Sequence, residues 1–310
     1  MNYYDREEIS NSDIGMFLED ASYYHYVKHG DGKTSDTESM DFGRKMHMLI
    51  FEPELLEEQY YIEREEVKVP GGMMSRLCQE WVRNPHQEWE SLYNKVGYKR
   101  DPVSSFREDE TQKYIEYLRL VNNKEVISYK DWSLMQQMKT SLMSGIASEW
   151  LDDEAWKQAG YEVHNEMEIY WEWEGIKLRS KLDRVYINHS TRRIYMEDYK
   201  TTRYRNKQKF IEAAYQDYQY HRAMAFYTDA LAYEYPGYLI SHMLIVQSKQ
   251  QPYTHWLCYY DDESLEEGRS VYEAALEEIR AREEKNFWGD YNHLLQGATM
   301  MHVAKMAEHV

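Results

Sequence analysis

The sequence predicts an α/β (α+β) fold, a central mixed β-sheet flanked by helices, with helical N-terminal and middle segments. Three observations carry that expectation. Apolar residues recur at helical spacing through the first half; from Glu162 the period changes to two; and a helix-length stretch separates three such runs from two more. Strands in series, then a helix, then strands again bury their apolar faces best as a sheet covered by helices.

Residues 1–62 read as a helical prologue. Ser10-Asn11-Ser12 supplies N-cap chemistry ahead of Ile14, Phe17 and Leu18. A polar loop over 30–39 leads to a second helix over about 42–51, stopped before Pro53. Pro70-Gly71-Gly72 marks a turn, and the rest of 63–150 is mostly amphipathic helix without a catalytic pattern. Residues 162–173, 176–187 and 193–200 then read as strands, with Asn188-His189-Ser190-Thr191 as the turn that joins the second and third into a hairpin. A long helix is expected over about 209–233, strands over 238–247 and 253–260, and a last helix over about 264–284.

Composition narrows the function class. With 42% hydrophobic and 30% charged residues, the 310-residue chain is an ordinary globular mixture, enough for one large domain or two modest ones. Thirty Tyr and nine Trp can pack a core and still offer stacking faces near a groove. Two distant cysteines, Cys78 and Cys258, give no disulfide framework, zinc pattern or iron–sulfur cluster, and fit a reducing cytoplasm. The acidic start is neither signal peptide nor anchor, and no run approaches the ~18 continuous apolar residues of a membrane span. A soluble cytoplasmic protein is the expectation.

The net charge of −18 is unevenly spread. Between Lys177 and Lys209 stand eleven basic and three acidic residues, a local charge of +8 that leaves −26 for the rest. Such a stretch suits a channel lining that gathers phosphates, while the acidic exterior repels nucleic acid that approaches wrongly; it also suits a solvated hairpin.

The chemistry concentrates in Leu182-Asp183-Arg184-Val185 on one strand and Glu197-Asp198-Tyr199-Lys200 on the next. Alternation points Asp198 and Lys200 to one face, and hairpin pairing can set Asp183 beside Asp198. Two converging carboxylates are hard oxygen ligands suited to Mg²⁺, which acidifies a bound water and stabilises charge on a phosphate. Lys200 could orient or deprotonate that water and stabilise the transition-state charge. An acid, one residue and a lysine is a weak pattern alone, since Asp31-x-Lys33, Glu66-x-Lys68 and Glu283-x-Lys285 share it. Only Asp198 and Lys200 end a strand whose hairpin partner carries an aspartate. Glu166 and Glu168 on the preceding strand are rival third carboxylates, and alternation puts both on one face. His47, one turn after Gly43, is a further candidate ligand.

These segments, taken in order, resemble the RecE-type (exonuclease VIII-like) recombination exonucleases of phages and prophages, within the PD-(D/E)xK nuclease superfamily. The resemblance rests on Ile9-Ser10-Asn11-Ser12, Gly43-x-x-x-His47 continuing to Phe51-Glu52-Pro53-Glu54, and Asn165-Glu166…Asp183…Asp198-x-Lys200-Thr201-Thr202. It rests too on Tyr218-x-Tyr220-His221-Arg222-x-x-Ala225-x-Tyr227 and Trp288-Gly289-Asp290-Tyr291. It implies one nuclease domain over 1–310, with a helical part at 1–62, an insertion at 63–150 and the core at 160–292. It implies Asp183, Asp198, Lys200 and Glu166 as catalytic residues. His47, Glu166, Asp183, Asp198 and Tyr199 would surround Mg²⁺, for which Mn²⁺ substitutes; from the basic stretch, Arg179, Lys181, Arg203, Arg205 and Lys207 are expected to bind DNA, together with Tyr227. The implied activity is 5′ to 3′ digestion of double-stranded DNA ends, leaving 3′ single strands for an annealing partner, by a homo-oligomeric ring with no membrane association. One position departs from the pattern. Related nucleases carry a Gln, three residues, then a Tyr after the lysine strand; aligned on Tyr227, that Gln is Ala223, and the literal match Gln216-x-x-x-Tyr220 lies seven residues earlier. Two other readings stand beside this one. The first is a DNA-end-binding scaffold on an inactive nuclease fold. The second is a CRISPR-adaptation-like or RecB-like nuclease, of which the iron–sulfur versions are disfavoured by the cysteine count.

Overall fold

The computed structural model describes residues 3, 6–30, 32 and 37–288. In chain order these form α1 (Asn11–Glu19), α2 (Ala21–His29), α3 (Glu38–Phe51), α4 (Pro53–Gln59), β1 (Tyr60–Ile62), α5 (Gly72–Arg83), α6 (Trp89–Val96), α7 (Val103–Phe106), α8 (Asp109–Val121), β2 (Glu125–Ile127), α9 (Tyr129–Met143), α10 (Asp153–Gln158), β3 (Glu162–Trp173), β4 (Ile176–Asn188), β5 (Arg193–Thr202), α11 (Lys207–Gln216), α12 (Tyr220–Glu234), β6 (Leu239–Ser248), β7 (His255–Cys258) and α13 (Asp262–Lys285). They gather into two compact units, one from the described parts of 1–40, 146–250 and 255–310, the other from 41–145 and 251–254. Gly289, Asp290 and Tyr291 of the late motif, and Asp31 and Lys33, lie outside the described residues.

The first unit holds a five-stranded sheet in the order β3-β4-β5-β6-β7. Neighbours are antiparallel except β5 and β6, which run parallel. A parallel step needs a crossover, and α11 with α12 supplies it. The mixed sheet flanked by helices is therefore the observed architecture. The single helix expected over 209–233 is two helices. The amides of Asp217 and Tyr218 both donate to the Ala213 carbonyl at 2.9 Å, closing α11, and Gln219 turns the chain with a left-handed φ of 49°. The last strand, expected over 253–260, spans only His255–Cys258.

Helix α12 lays Met224, Phe226 and Leu231 into the main core, with Phe226 against Trp171 at 4.9 Å between ring centroids. Helix α13 packs on α12 at Gly268, where a Cβ would stand 2.5 Å from the His221 carbonyl oxygen; only glycine permits this approach. Ser10 caps α1 as its sequence suggests. Its Oγ accepts from the Asp13 amide at 3.2 Å, while Asp13 accepts from the Ser10 amide at 2.8 Å. Just before this cap, Ile9 pairs with β4: its amide donates to Lys177 O, and the Arg179 amide donates to Ile9 O, both at 3.0 Å.

The second unit is mainly helical. Leu77, Cys78, Leu92, Phe106 and Ile115 from α5 to α8 form its core, with Trp89 against Phe106 at 4.6 Å. Its one departure from the expected helices is a short parallel pair, β1 with β2. No described helix is long and apolar enough to cross a membrane.

Candidate active site

The hairpin β4–β5 opens at its far end, and the opening makes the site. The ladder between these strands runs from Asn188↔Arg193 to Arg184↔Glu197 and stops there. The next amide, of Tyr199, donates at 3.0 Å to Oδ2 of Asp183 instead of continuing the ladder. Beyond this point β5 keeps only β6 as its partner, while β4 is met by Ile9. A carboxylate thus takes the place of a backbone carbonyl where two strands part.

Lys200 reaches into the gap. Its Nζ lies 2.5 Å from Asp198 Oδ2 and 3.9 Å from Asp183 Oδ2, so one ammonium bridges both aspartates. Burial alone would lower the Lys200 pKa, but Asp198 and then Asp183 outweigh it and push the pKa up, keeping the group charged. The alternation read from the sequence holds on β5. Asp198 and Lys200 share one face, whereas Tyr199 is buried on the other and donates its hydroxyl to Gln247 Oε1 at 2.7 Å. Tyr199 can therefore meet the site only through its main chain.

Glu166 marks the neighbouring irregularity. The β3–β4 register runs from Glu162↔Ile187 to Trp173↔Ile176 and omits one pair, Glu166 opposite Asp183. Glu166 has φ 50°, a left-handed conformation that residues bearing a Cβ rarely adopt inside a strand and that concentrates at functional sites. A carboxylate oxygen of Glu166 comes within 4.8 Å of one of Asp183. Lys181 pairs with Glu166 at 2.8 Å. Glu168 instead accepts the Tyr170 hydroxyl at 2.7 Å and is exposed. The two-residue alternation that made these glutamates equivalent does not carry across a left-handed residue.

Three carboxylates at a strand opening are hard oxygen donors, which suits Mg²⁺ or Mn²⁺ rather than a soft metal. His47 lies on α3 in the second unit, half-buried, its ring 5.2 Å from Phe51.

Of the residues expected to bind DNA, Arg203, Arg205 and Lys207 lie exposed just beyond the end of β5. Arg179 is corrected. It is buried, lies 3.5 Å from Asp13 with its Cζ 4.8 Å over the Tyr3 ring, and donates to the Tyr3 carbonyl. Pulling it out to a phosphate would break a buried ion pair at a cost of roughly 3 kcal/mol, more than one exposed contact returns. Lys181 is tied to Glu166, as described above.

Helix α12 closes the site from the side. Lys200 Nζ sits 5.8 Å over the Tyr220 ring. Burial, then the charge of Asp198 and that of Asp183, raise the Tyr227 pKa against the opposing pull of Lys200, which sets Tyr227 beside these groups. Burial likewise pushes Tyr220 up to about 12, against the pull of Lys200. Gln216 ends α11 and Tyr220 begins α12, so the literal Gln-x-x-x-Tyr match does not lie on one helix face, and Ala223 is packed in the core. Sequence reasoning missed Tyr220 as a neighbour of Lys200. Its spacing of two helical turns from Tyr227 was the available signal.

The chain is similar to two solved structures. The crystal structure of "Putative exonuclease" from Eubacterium rectale is 12% identical, covering 98% of this chain and 94% of the other, with a TM-score of 0.48. The protein named SSO0001 is 10% identical over 83% and 88% of the two chains, with a TM-score of 0.26. No curated protein matches. The model of the family described as a PDDEXK-like domain of unknown function matches residues 10–296, a span that contains β3, β4, β5 and every carboxylate described above. A mixed five-stranded sheet with its acids and lysine at one strand opening agrees with that match, and the chain belongs to this PDDEXK-like family and carries its nuclease fold.

Proposed function

We propose that this chain is a divalent-metal-dependent exodeoxyribonuclease of the RecE type. It hydrolyses phosphodiester bonds of double-stranded DNA from 5′ ends and leaves 3′ single strands for recombination by strand annealing. The observation that carries the nuclease reading is the convergence of Asp183 and Asp198 on Lys200 where β4 and β5 part. Polarity and the recombination role rest on the sequence resemblance.

Asp183, Asp198 and Glu166 would hold the cation, Mg²⁺ or Mn²⁺; the resemblance adds His47 and the Tyr199 main chain. When bound, it supplies positive charge to the phosphate and acidity to a water. The chain's own groups do the rest. Lys200, held charged by its aspartates, orients the attacking water and stabilises charge that develops on the phosphate during in-line displacement. Tyr220 and Tyr227 wall the lysine from bulk water, so its field is less screened. Arg203, Arg205 and Lys207 gather the phosphodiester backbone. The protein works in the cytoplasm, on DNA ends, as a homo-oligomeric ring that hands its product to an annealing protein.

Digestion of duplex DNA labelled at either the 5′ or the 3′ end, with Mg²⁺, with Mn²⁺ or with chelator, tests the reading. Metal-dependent loss of the 5′ label first is the expected result. Earlier loss of the 3′ label keeps the nuclease and overturns the polarity; intact DNA under all conditions overturns the nuclease and favours an end-binding scaffold.

A further inference from the structure

The turn between α11 and α12 presents an aromatic step that the catalytic groups do not use. Gln219, left-handed at φ 49°, sends Tyr220 inward to Lys200 and leaves Tyr218 outward, 41% exposed. The two rings are stacked, with centroids 5.3 Å apart and planes at 30°. Tyr204, just past the end of β5, lies beside Tyr218, whose pKa is raised by burial and then by Tyr204, and it carries Arg203 over its ring at 5.2 Å, with Arg203 Nη2 donating to the Tyr204 hydroxyl at 3.2 Å. A chain of contacts therefore runs from Lys200 through Tyr220, Tyr218 and Tyr204 to Arg203. One acid, Asp217, stands beside it, against the exposed cations Arg203, Arg205 and Lys207.

We propose that Tyr218, backed by Tyr220 and flanked by Tyr204 and Arg203, is a stacking platform for one unpaired nucleobase of the strand being cut. The inference rests on the nuclease reading and deepens it: the substrate enters the site as a frayed or single-stranded end. An exposed ring offers a flat face that every base can stack on, and a guanidinium alongside takes the same nucleotide's phosphate. Packing alone does not call for the arrangement. A tyrosine held by a left-handed residue, with much of its surface in water, buries less than it would inside the core, yet it extends the row of rings that begins at the catalytic lysine.

The test uses single-stranded oligonucleotides with a single abasic position at each of the first three nucleotides from either end, cut by the full-length protein in Mg²⁺ under single-turnover conditions. One abasic position should slow wild-type cleavage about tenfold. Tyr218→Ala should cut the intact oligonucleotide as slowly as wild type cuts the abasic one and lose the discrimination; Tyr218→Trp should retain it. Equal cleavage of intact and abasic strands by wild type, or full discrimination in Tyr218→Ala, overturns the platform while leaving the nuclease in place. Absence of all cleavage of single strands, with duplex DNA still digested, overturns the platform and leaves the nuclease in place; absence of cleavage of both overturns the nuclease reading and the platform with it. Circular dichroism of both variants separates loss of stacking from loss of fold. Should Tyr218→Ala not fold, the wild-type comparison and Tyr218→Trp decide.

Discussion

Asp198 with Lys200 on β5, and Glu197 on β5 with Arg184 on β4, are acid–base sets one residue out of step along β5, and they end in opposite surroundings. Lys200 and Asp198 face a strand opening, walled by Tyr220 and Tyr227. Glu197 faces the other side and is fully buried. It hydrogen-bonds with the Tyr186 hydroxyl at 3.0 Å, opposite Arg184, which pairs with Asp153. Tyr186 itself stacks on Trp156 at 4.3 Å. Similar acid–base chemistry in the sequence meets an opening on one face and is sealed on the other, because strand alternation decides which groups face the gap and which are buried.

The largest effect should fall on the open face. Lys200→Ala should lower the single-turnover cleavage rate by at least roughly 10²–10³-fold while Mg²⁺-dependent DNA binding survives, because the ammonium acts mainly on charge that develops in the transition state. Asp198→Asn should lose both, since an amide is a poorer ligand for a hard cation. Near-normal cleavage by Lys200→Ala would erase the contrast between the faces and move the chemistry elsewhere.

The sealed face should answer to pH instead. Burial pushes the Glu197 carboxyl up to about 8, against the opposing pull of the Tyr186 bond and of Arg184. The unfolded chain releases this proton near the ordinary carboxylate value, so between roughly pH 4.5 and 8 the folded state binds more protons than the unfolded state. Stability therefore falls as pH rises through that window, by at most about 1.4 kcal/mol per pH unit. Thermal denaturation in chelator between pH 5 and 8 should show this slope in wild type and a flatter one in Glu197→Gln. Equal slopes would mean that Glu197 is not buried in its neutral form.

The regular parts of this contrast were legible in the sequence, and the irregular parts were not. Residues 162–173 were read as a strand with the bounds observed for β3, and the ends of β4 and β5 differ from expectation by one or two residues. Period-two patterning reports a regular strand, and Asp183, Asp198 and Lys200 could be assembled from it. A count of basic residues carries no facing information, so Arg179 looked like a phosphate contact although Asp13 and Tyr3 had already claimed it. The break at Asp217–Gln219 was hidden because its residues lack the Gly or Pro that usually marks a turn, and the left-handed Glu166 gave no compositional sign.

Exposure also sorts the cations, with a smaller effect. Arg203→Ala and Lys207→Ala should each weaken DNA binding and reduce the salt slope, log K against log salt, by up to about 0.9. Arg179→Ala should leave that slope unchanged and lower thermal stability. Affinities measured at two or more salt concentrations check this, and a reduced slope in Arg179→Ala would return that arginine to the DNA-facing set.

The smallest change is expected at Glu168, and its value lies in the comparison with Glu166. Both glutamates lie on β3, two residues apart, and a regular strand would point both the same way. The structure separates them by the left-handed φ at Glu166, which interrupts the ladder opposite Asp183 and leaves its carboxylate within 4.8 Å of that aspartate. Glu168 accepts the Tyr170 hydroxyl in an exposed position, where substitutions usually shift stability by no more than about 0.5 kcal/mol. Glu168→Gln should therefore bind Mn²⁺ and cut DNA within about twofold of wild type, because an amide oxygen still accepts the tyrosine hydroxyl. Glu166→Gln should lose Mn²⁺ affinity, since it removes charge from a carboxylate within 4.8 Å of Asp183 and releases Lys181 from its ion pair. Calorimetric titration of Mn²⁺ into both variants, without DNA, measures the difference directly. A larger loss in Glu168→Gln than in Glu166→Gln would mean that the left-handed kink turns Glu166 away from the cation, and that Glu168 is the third carboxylate.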